Sequence, residues 1–155
     1  MYLLVGLGLA DRPAEWSILL ADNYPEAVRK HVLDSEALLS ANRYDGAGYL
    51  AGYAVECTLK SLILVETGKG TKAHDLNNLS AQALRLAGLP NQKTAAYVRG
   101  PTITSLLYGP AGWRETLRYE AEGTVTQADS EAWVAEARRL HDTVILPMKL
   151  DGVIV

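Results

Sequence analysis

The chain has 155 residues, of which 48% are hydrophobic and 21% are charged. These values suit one soluble globular domain with a core of its own. The net charge of −3 argues against indiscriminate binding of nucleic acid. A single cysteine, Cys57, excludes an internal disulfide and fits a reducing, cytoplasmic compartment.

Charge is distributed unevenly along the chain. Residues 54–118 contain eight Lys or Arg and four Asp or Glu, whereas the remaining residues contain seven and fourteen. We therefore expect any anionic ligand to bind along the middle segments.

Residues 1–22 predict an N-terminal arm with one short helix. Residues 1–10 are apolar, follow no positive charge and are too few to cross a bilayer, so neither a signal peptide nor a membrane anchor is expected. Asp11 followed by Pro13 is typical of a helix start.

Amphipathic patterns predict a helix on each side of the central segment. The first begins at Asn23 and ends near Asn42, and the charged neighbours of His31 place this histidine on the exposed side. The helix after the central one is capped by Asp75 or a neighbouring Asn and ends at Gly88.

The last long helix is predicted to start with Asp129 and Ser130 as its cap, and Pro147 is predicted to end or bend it. Its apolar face comprises Trp133, Ala137, Leu140, Val144 and Met148. Its exposed face comprises Glu131, Glu136, Arg138, Arg139 and Asp142.

The longest apolar run, residues 45–66, predicts the central helix. Apolar residues cover nearly its whole circumference, so we expect neighbours to bury it on several sides. Glycine disfavours a helix by about 0.8–1 kcal/mol relative to alanine, and the three glycines Gly46, Gly48 and Gly52 therefore predict the close approach of another helix. A membrane span is not expected, because Glu56 and Lys60 would lie near the middle of the bilayer.

One stripe of this helix is polar and aromatic. Asp45, Tyr49, Tyr53, Glu56 and Lys60 recur every three or four positions and lie within about 80° of one another. One interpretation is a ligand site. The other is that the tyrosines pack in the core while Glu56 and Lys60, an i,i+4 pair worth about 0.2–0.5 kcal/mol if exposed, support a neighbouring helix.

Together the segments predict an all-α fold, an antiparallel up-and-down bundle of four main helices with one or two short additions. The bundle spans residues 23–148, and residues 149–155 form a tail. Residues 92–99 and 103–108 are candidates for short helices, whereas residues 120–127 are predicted to be irregular.

Several kinds of site have no matching pattern in the sequence. Residues 68–72 are too few for a phosphate-binding loop. There is no cysteine pair for zinc, and His31, His74 and His141 lack metal-ligand spacing. We therefore expect no metal and no cofactor.

Three short motifs follow one another along the chain. Residues 49–60, YLAGYAVECTLK, lie on the central helix, and His74-Asp75-Leu76 starts the next one. Trp113 and residues 117–119, LRY, then precede the final helix. In this order and spacing the sequence resembles the HEPN domain family of small helical bundles, over roughly residues 23–148.

The resemblance implies nucleotide or nucleic-acid binding, RNA cleavage, or pairing with a small nucleotidyltransferase in prokaryotic toxin–antitoxin operons. Nucleases of the family carry an Arg followed four to six residues later by His on a late helix. This chain departs from that pattern, since Arg138 and Arg139 precede His141 by only three and two residues. Because the charge stabiliser and the acid–base group of phosphodiester cleavage are missing, an enzyme is not the favoured expectation.

Three functions remain in competition. The first, which we favour, is a non-catalytic module that binds nucleotide or RNA as a homodimer, with a nucleotidyltransferase as the implied partner. The second is a divergent ribonuclease that uses His74 with Arg114 or Arg118. The third is a bundle that only dimerises or binds a partner protein, through Trp16, Trp113 and the apolar N-terminal arm.

The candidate ligand-binding residues combine charged groups with aromatic rings that can stack on a base. A structural alternative makes His74 a loop or cap residue. It also makes Trp113, Arg118 and Tyr119 a packing anchor, with an ion pair to Glu56 or Asp75. The full candidate set is Tyr49, Tyr53, Glu56, Lys60, Lys72, His74, Asp75, Arg114, Arg118 and Tyr119.

Overall fold

The computed structural model describes residues 22–98 and 112–155, and these residues form a helical bundle without strands. The predicted all-α fold is thereby confirmed. The helices predicted after Asp11 and at residues 103–108 lie outside the described ranges. The elements are α1 (Tyr24–Ser40), α2 (Tyr44–Thr67), α3 (Leu76–Ala87), a 3-10 helix (Glu115–Tyr119) and α4 (Gln127–Leu140), which continues through a π-helix (His141–Ile145) into α5 (Leu146–Leu150).

Helices α1 and α2 form an antiparallel pair. A short connection reverses the chain, with Asn42 in the left-handed region at φ 57°. Lys60 lies over the ring of Tyr24 at one end of the pair, while Gly46 faces Leu38 at the other end. This register places Lys60, at the end of the polar stripe of α2, beside Tyr24 of α1.

Two glycines of α2 make room for large side chains. A Cβ atom at Gly52 would lie 1.9 Å from Nε1 of Trp113, and one at Gly48 would lie 2.8 Å from Cγ1 of Val125. The predicted approach of a helix is wrong at Gly52, since Trp113 belongs to the irregular segment before the 3-10 helix. At Gly48 a helix does approach, since an added Cβ atom would also lie 3.1 Å from Cε3 of Trp133 in α4.

Helix α4 begins earlier than predicted. The hydroxyl of Thr126 accepts a hydrogen bond from the backbone N–H of Asp129 at 3.1 Å and donates one to its carboxylate at 2.8 Å. The cap predicted at Asp129 and Ser130 is therefore wrong, because a threonine upstream already satisfies the first N–H groups. Glu136, predicted on the exposed face, is buried and paired with Arg139.

The last helix continues past Pro147 as far as Leu150, so this proline does not end it. Proline removes one backbone donor and clashes with the carbonyl four residues earlier. The π-helical turn at His141–Ile145 directly precedes α5, and its wider spacing accommodates the interruption.

Residues 93–97 form turns instead of the short helix predicted at 92–99. The carbonyl of Thr94 accepts from the N–H groups of Tyr97 and Val98, which closes a single turn. The N–H of Thr94 is held by the carboxylate of Glu66 at 2.6 Å. This segment is therefore fixed to the end of α2.

The bundle core surrounds α2. By length and composition this helix could cross a membrane, but 72% of its apolar window is buried inside the bundle, as is usual for the core helix of a globular protein. The most deeply buried side chains include Val28, Leu59, Leu79, Leu140 and Met148.

Candidate functional site

A buried carboxylate on α2 contacts an ammonium group and an imidazole. Glu56 is 2% exposed, and its Oε1 atom lies 2.8 Å from Nζ of Lys60. The imidazole Nδ1 of His74 lies 3.0 Å and 3.1 Å from the two carboxylate oxygens. Within the predicted stripe, Glu56 and Lys60 thus form a desolvated ion pair. The small stabilisation expected of an exposed i,i+4 pair does not apply to it.

The contact with Glu56 orients His74. Because Nδ1 faces the carboxylate, Nε2 is the ring nitrogen left for other partners, and the His74 side chain is 45% exposed. A carboxylate that fixes the ring and tautomer of a histidine in this way is also part of many acid–base sites. The geometry therefore supports either a ligand contact or proton transfer at Nε2.

The loop between α2 and α3 brings His74 to this position. Gly68 ends α2 in the left-handed conformation at φ 67°. The hydroxyl of Tyr24 donates to the carbonyl of Thr71 at 3.4 Å. The carboxylate of Asp75 accepts from the N–H of Asn78 at 2.8 Å and caps α3, so Asp75 acts as a cap and positions the loop.

An aromatic cluster adjoins this carboxylate along α2. The ring centroids of Tyr49 and Tyr53 are 5.0 Å apart in an edge-to-face arrangement, and those of Tyr53 and Trp113 are 5.2 Å apart. The indole of Trp113 donates to the carbonyl of Tyr49 at 2.9 Å. Trp113 is 6% exposed, so it is a packing anchor that fixes the two partly exposed tyrosines.

Two titratable side chains of α2, the phenol of Tyr53 and the thiol of Cys57, are neutral. Burial, followed by the hydrogen bond that its hydroxyl shares with that of Tyr49 at 3.3 Å, raises the pKa of Tyr53 above its ordinary value. Burial also raises the pKa of the Cys57 thiol to about 12. Cys57 is therefore protonated at neutral pH and is no thiolate nucleophile.

His31 joins the aromatic cluster from α1. Its ring centroid is 5.8 Å from that of Tyr53, and its Nδ1 atom is buried without a hydrogen-bond partner. Burial lowers the pKa of His31. The prediction that His31 is exposed is wrong, because the antiparallel register of α1 turns this side chain toward Tyr53 despite its charged neighbours in sequence.

The two arginines around the 3-10 helix behave differently. Arg114 forms a two-point ion pair with Glu120, at 2.9 Å and 2.7 Å. Arg118 lies over the ring of Tyr119 at 4.9 Å, and in the part of the chain that the structure describes it has no carboxylate partner. The ion pair considered between Arg118 and Glu56 or Asp75 is not formed.

Some of the predicted residues lie at the edges of this surface. Lys72 is exposed in the loop before His74, and Tyr119 is 77% exposed. Asp45, at the start of the stripe, accepts backbone N–H bonds from Gly123 at 2.7 Å and Val125 at 2.8 Å. Asp45 therefore fixes the loop that precedes α4.

The structure thus brings most of the candidate residues onto one face, which we call the α2 face. It comprises Tyr49, Tyr53, Glu56, Lys60, His74, Arg118 and Tyr119, with His31 and Trp113 added by the fold. Within residues 22–98 and 112–155 no cluster of His, Cys, Asp and Glu could hold a metal ion.

The comparison with known families agrees with the all-α fold. The model of the HEPN domain matches residues 29–146, which include all of α2, α3 and α4. No curated protein and no solved structure matches the chain. Since the matched segment covers most of the sequence, the chain belongs to the HEPN domain family.

Proposed function

We propose that this HEPN domain binds nucleotide or RNA on the α2 face without cleaving it. The observation that carries the proposal is the combination of partly exposed rings with the guanidinium group of Arg118, which no carboxylate neutralises in the part of the chain that the structure describes. Tyr119 is 77% exposed and carries Arg118 over its ring, and Tyr49 lies beside them. Exposed rings stack on bases and guanidinium groups bind phosphate.

Nucleases of the family carry their Arg and His on a late helix. The arginines and the histidine on the late helix of this chain support a non-catalytic role. Arg138 is paired with Glu36 at 2.6 Å, and Arg139 is paired with Glu136 at 2.6 Å. The Nδ1 atom of His141 contacts its neighbour Asp142 at 2.7 Å. The two arginines contribute to ion pairs within the bundle, and the spacing of the three residues differs from that of the nuclease motif.

Isothermal titration tests the proposal directly. We expect ATP, GTP or a short RNA to bind at millimolar or lower concentration, and raised salt to weaken the binding. Arg118→Gln should weaken it several-fold, whereas Arg85→Gln, an equal loss of charge at an exposed position of α3, should not. Absence of binding by all three ligands at millimolar concentration would refute the proposal.

A divergent ribonuclease is the second candidate, because Glu56 orients His74 as an acid–base histidine requires. An RNA cleavage assay separates the two functions. Loss of cleavage in His74→Ala, with retention in His141→Ala, would establish the nuclease. Intact RNA with the unmodified protein, or equal cleavage after His74→Ala, would remove it.

The assembly that we propose is a cytoplasmic homodimer with a nucleotidyltransferase as partner. Exposed apolar side chains such as Leu146 and Leu150 leave surface for such contacts. Sedimentation at increasing protein concentration measures the first part, and co-purification with the product of a neighbouring nucleotidyltransferase gene measures the second. A monomer at high concentration would contradict the homodimer.

A further inference from the structure

A cleft of about 620 Å³ opens beside the α2 face. It lies between the turn that joins α1 to α2 and the segment that runs from the end of the 3-10 helix to Val125. Cavities of roughly 300–1,000 Å³ hold small organic ligands, so this one can contain a nucleobase with its sugar. The residues that line it include the aromatic Tyr44 and Tyr49 and the apolar Leu38 and Leu117.

The charges of the cleft divide into engaged and available groups. Glu120 is held by Arg114, and both oxygens of Asp45 accept backbone N–H groups. Arg43 and Arg118 also line the cleft, and among the described residues neither has an ion-pair partner.

The remaining acidic group of the cleft, Glu122, is exposed. Its carboxylate can therefore turn into solvent when an anion approaches. The two guanidinium groups remain available for phosphate, which they bind with several donors at once.

The cleft is continuous with the α2 face, because Tyr49 and Arg118 belong to both. Tyr44 and Tyr49 are five positions apart on α2, which corresponds to about 7.5 Å along the helix axis and about 140° around it. Stacked nucleotides of one strand rise by only about 3.4 Å. A single nucleotide bound at Tyr49 would leave the ring of Tyr44 and the charge of Arg43 unused, whereas an extended strand can contact all of them.

We propose that the cleft is a second nucleotide subsite, so that the chain binds single-stranded RNA of two or more nucleotides more tightly than a mononucleotide. This inference rests on the proposed function of the α2 face. It adds Arg43 and Tyr44 as contact residues, and it identifies the ligand as a single strand of RNA. Each additional base that stacks on a protein ring strengthens binding by about tenfold.

Titration with a ladder of ligand lengths tests the subsite. The probes are uridine 5′-monophosphate and 5′-phosphorylated uridylates of two and three residues, at one salt concentration. We expect the dissociation constant to fall about tenfold or more from the mononucleotide to the trinucleotide. Arg43→Gln should abolish this gain and leave mononucleotide binding unchanged, whereas Arg85→Gln should affect neither.

The outcomes separate this inference from the proposed function. Equal affinity for all three lengths, or a gain that persists in Arg43→Gln, would overturn the second subsite while leaving nucleotide binding intact. We expect a mononucleotide to occupy the α2 face and only the second nucleotide of a strand to occupy the cleft. Weaker mononucleotide binding in Arg43→Gln would overturn this order, since the mononucleotide would then occupy the cleft. Absence of binding at every length would overturn both proposals.

Discussion

Oε1 of Glu56 lies 3.0 Å from Nδ1 of His74 and 2.8 Å from Nζ of Lys60. The side chains of Glu56 and Lys60 are 3% and 7% exposed, whereas that of His74 is 45% exposed. One buried carboxylate therefore neutralises a buried ammonium group and also positions an imidazole at the surface. This arrangement couples the stability of the bundle to the geometry of the α2 face.

Removing the charge of Glu56 should destabilise the protein. In Glu56→Gln the ammonium group of Lys60 stays buried without its counterion, and breaking a buried pair in this way costs about 3–5 kcal/mol. Urea denaturation measures the free energy of unfolding. The matched control is Glu131→Gln at an exposed position of α4, which should change that free energy by less than about 0.5 kcal/mol.

A double substitution distinguishes the lost charge from lost packing. Glu56→Leu combined with Lys60→Met replaces the pair by apolar groups of similar size, which is often neutral or stabilising. We expect it to recover most of the stability lost in Glu56→Gln. If Glu56→Gln itself costs less than about 1 kcal/mol, the pair is not desolvated as described.

Alanine at position 52 should disrupt the packing of Trp113. The added Cβ would lie 1.9 Å from the indole nitrogen, so the ring must leave its place on α2. Overpacking of this kind costs about 3 kcal/mol. Gly46→Ala is the control, because its Cβ would meet only the flexible side chain of Leu38 at 3.1 Å, and it should change stability by less than about 1 kcal/mol. Equal effects of the two substitutions in thermal unfolding would refute the account of Gly52.

Acid should destabilise the protein in part through His31. Burial lowers the pKa of this histidine in the folded state, whereas the unfolded chain takes up the proton near pH 6.5. Between these two pH values the unfolded state binds more protons, so the free energy of unfolding falls as the pH falls below about 6.5. Lys30 acts in the same direction and Asp34 opposes it.

Replacing His31 by Phe isolates this contribution. The ring that packs against Tyr53 is kept, and the titrating group is removed. Urea denaturation at several values between pH 8 and pH 5 should show a shallower loss of stability in His31→Phe than in the unmodified protein. Parallel curves for the two proteins would show that His31 contributes nothing to the pH dependence.

Tyr119 should matter for binding and not for folding. Its side chain is 77% exposed, so Tyr119→Ala should change the free energy of unfolding by less than about 0.5 kcal/mol. Loss of a stacking ring should weaken RNA binding by about 1–3 kcal/mol. Val155→Ala, at an exposed apolar residue of the C-terminal tail, is the control and should retain full affinity. Unchanged RNA affinity in Tyr119→Ala would remove this ring from the site.

The sequence allowed the main helices and the stripe on α2 to be predicted, because both follow from local periodicity. The cap of α3 was predicted at Asp75 or a neighbouring Asn, because short polar side chains before a helix accept its first N–H groups, and the structure has it at Asp75. The pairing of Trp113 with Gly52 was not, since it joins an irregular segment to a helix with no repeating pattern between them. The position of His31 depends on the register of α1 against α2, which is set by packing along the whole helix pair.

Chemical-shift mapping of the ¹⁵N-labelled protein with a 5′-phosphorylated trinucleotide of uridine tests the central claim most directly. We predict shift changes at Tyr49, Tyr53, His74 and Arg118 and at the indole N–H of Trp113, with the exposed face of α4 unaffected. The RNA should remain intact throughout the titration. No shift changes at millimolar RNA, or changes confined to α4 and α5, would contradict the assignment of the α2 face as the binding site.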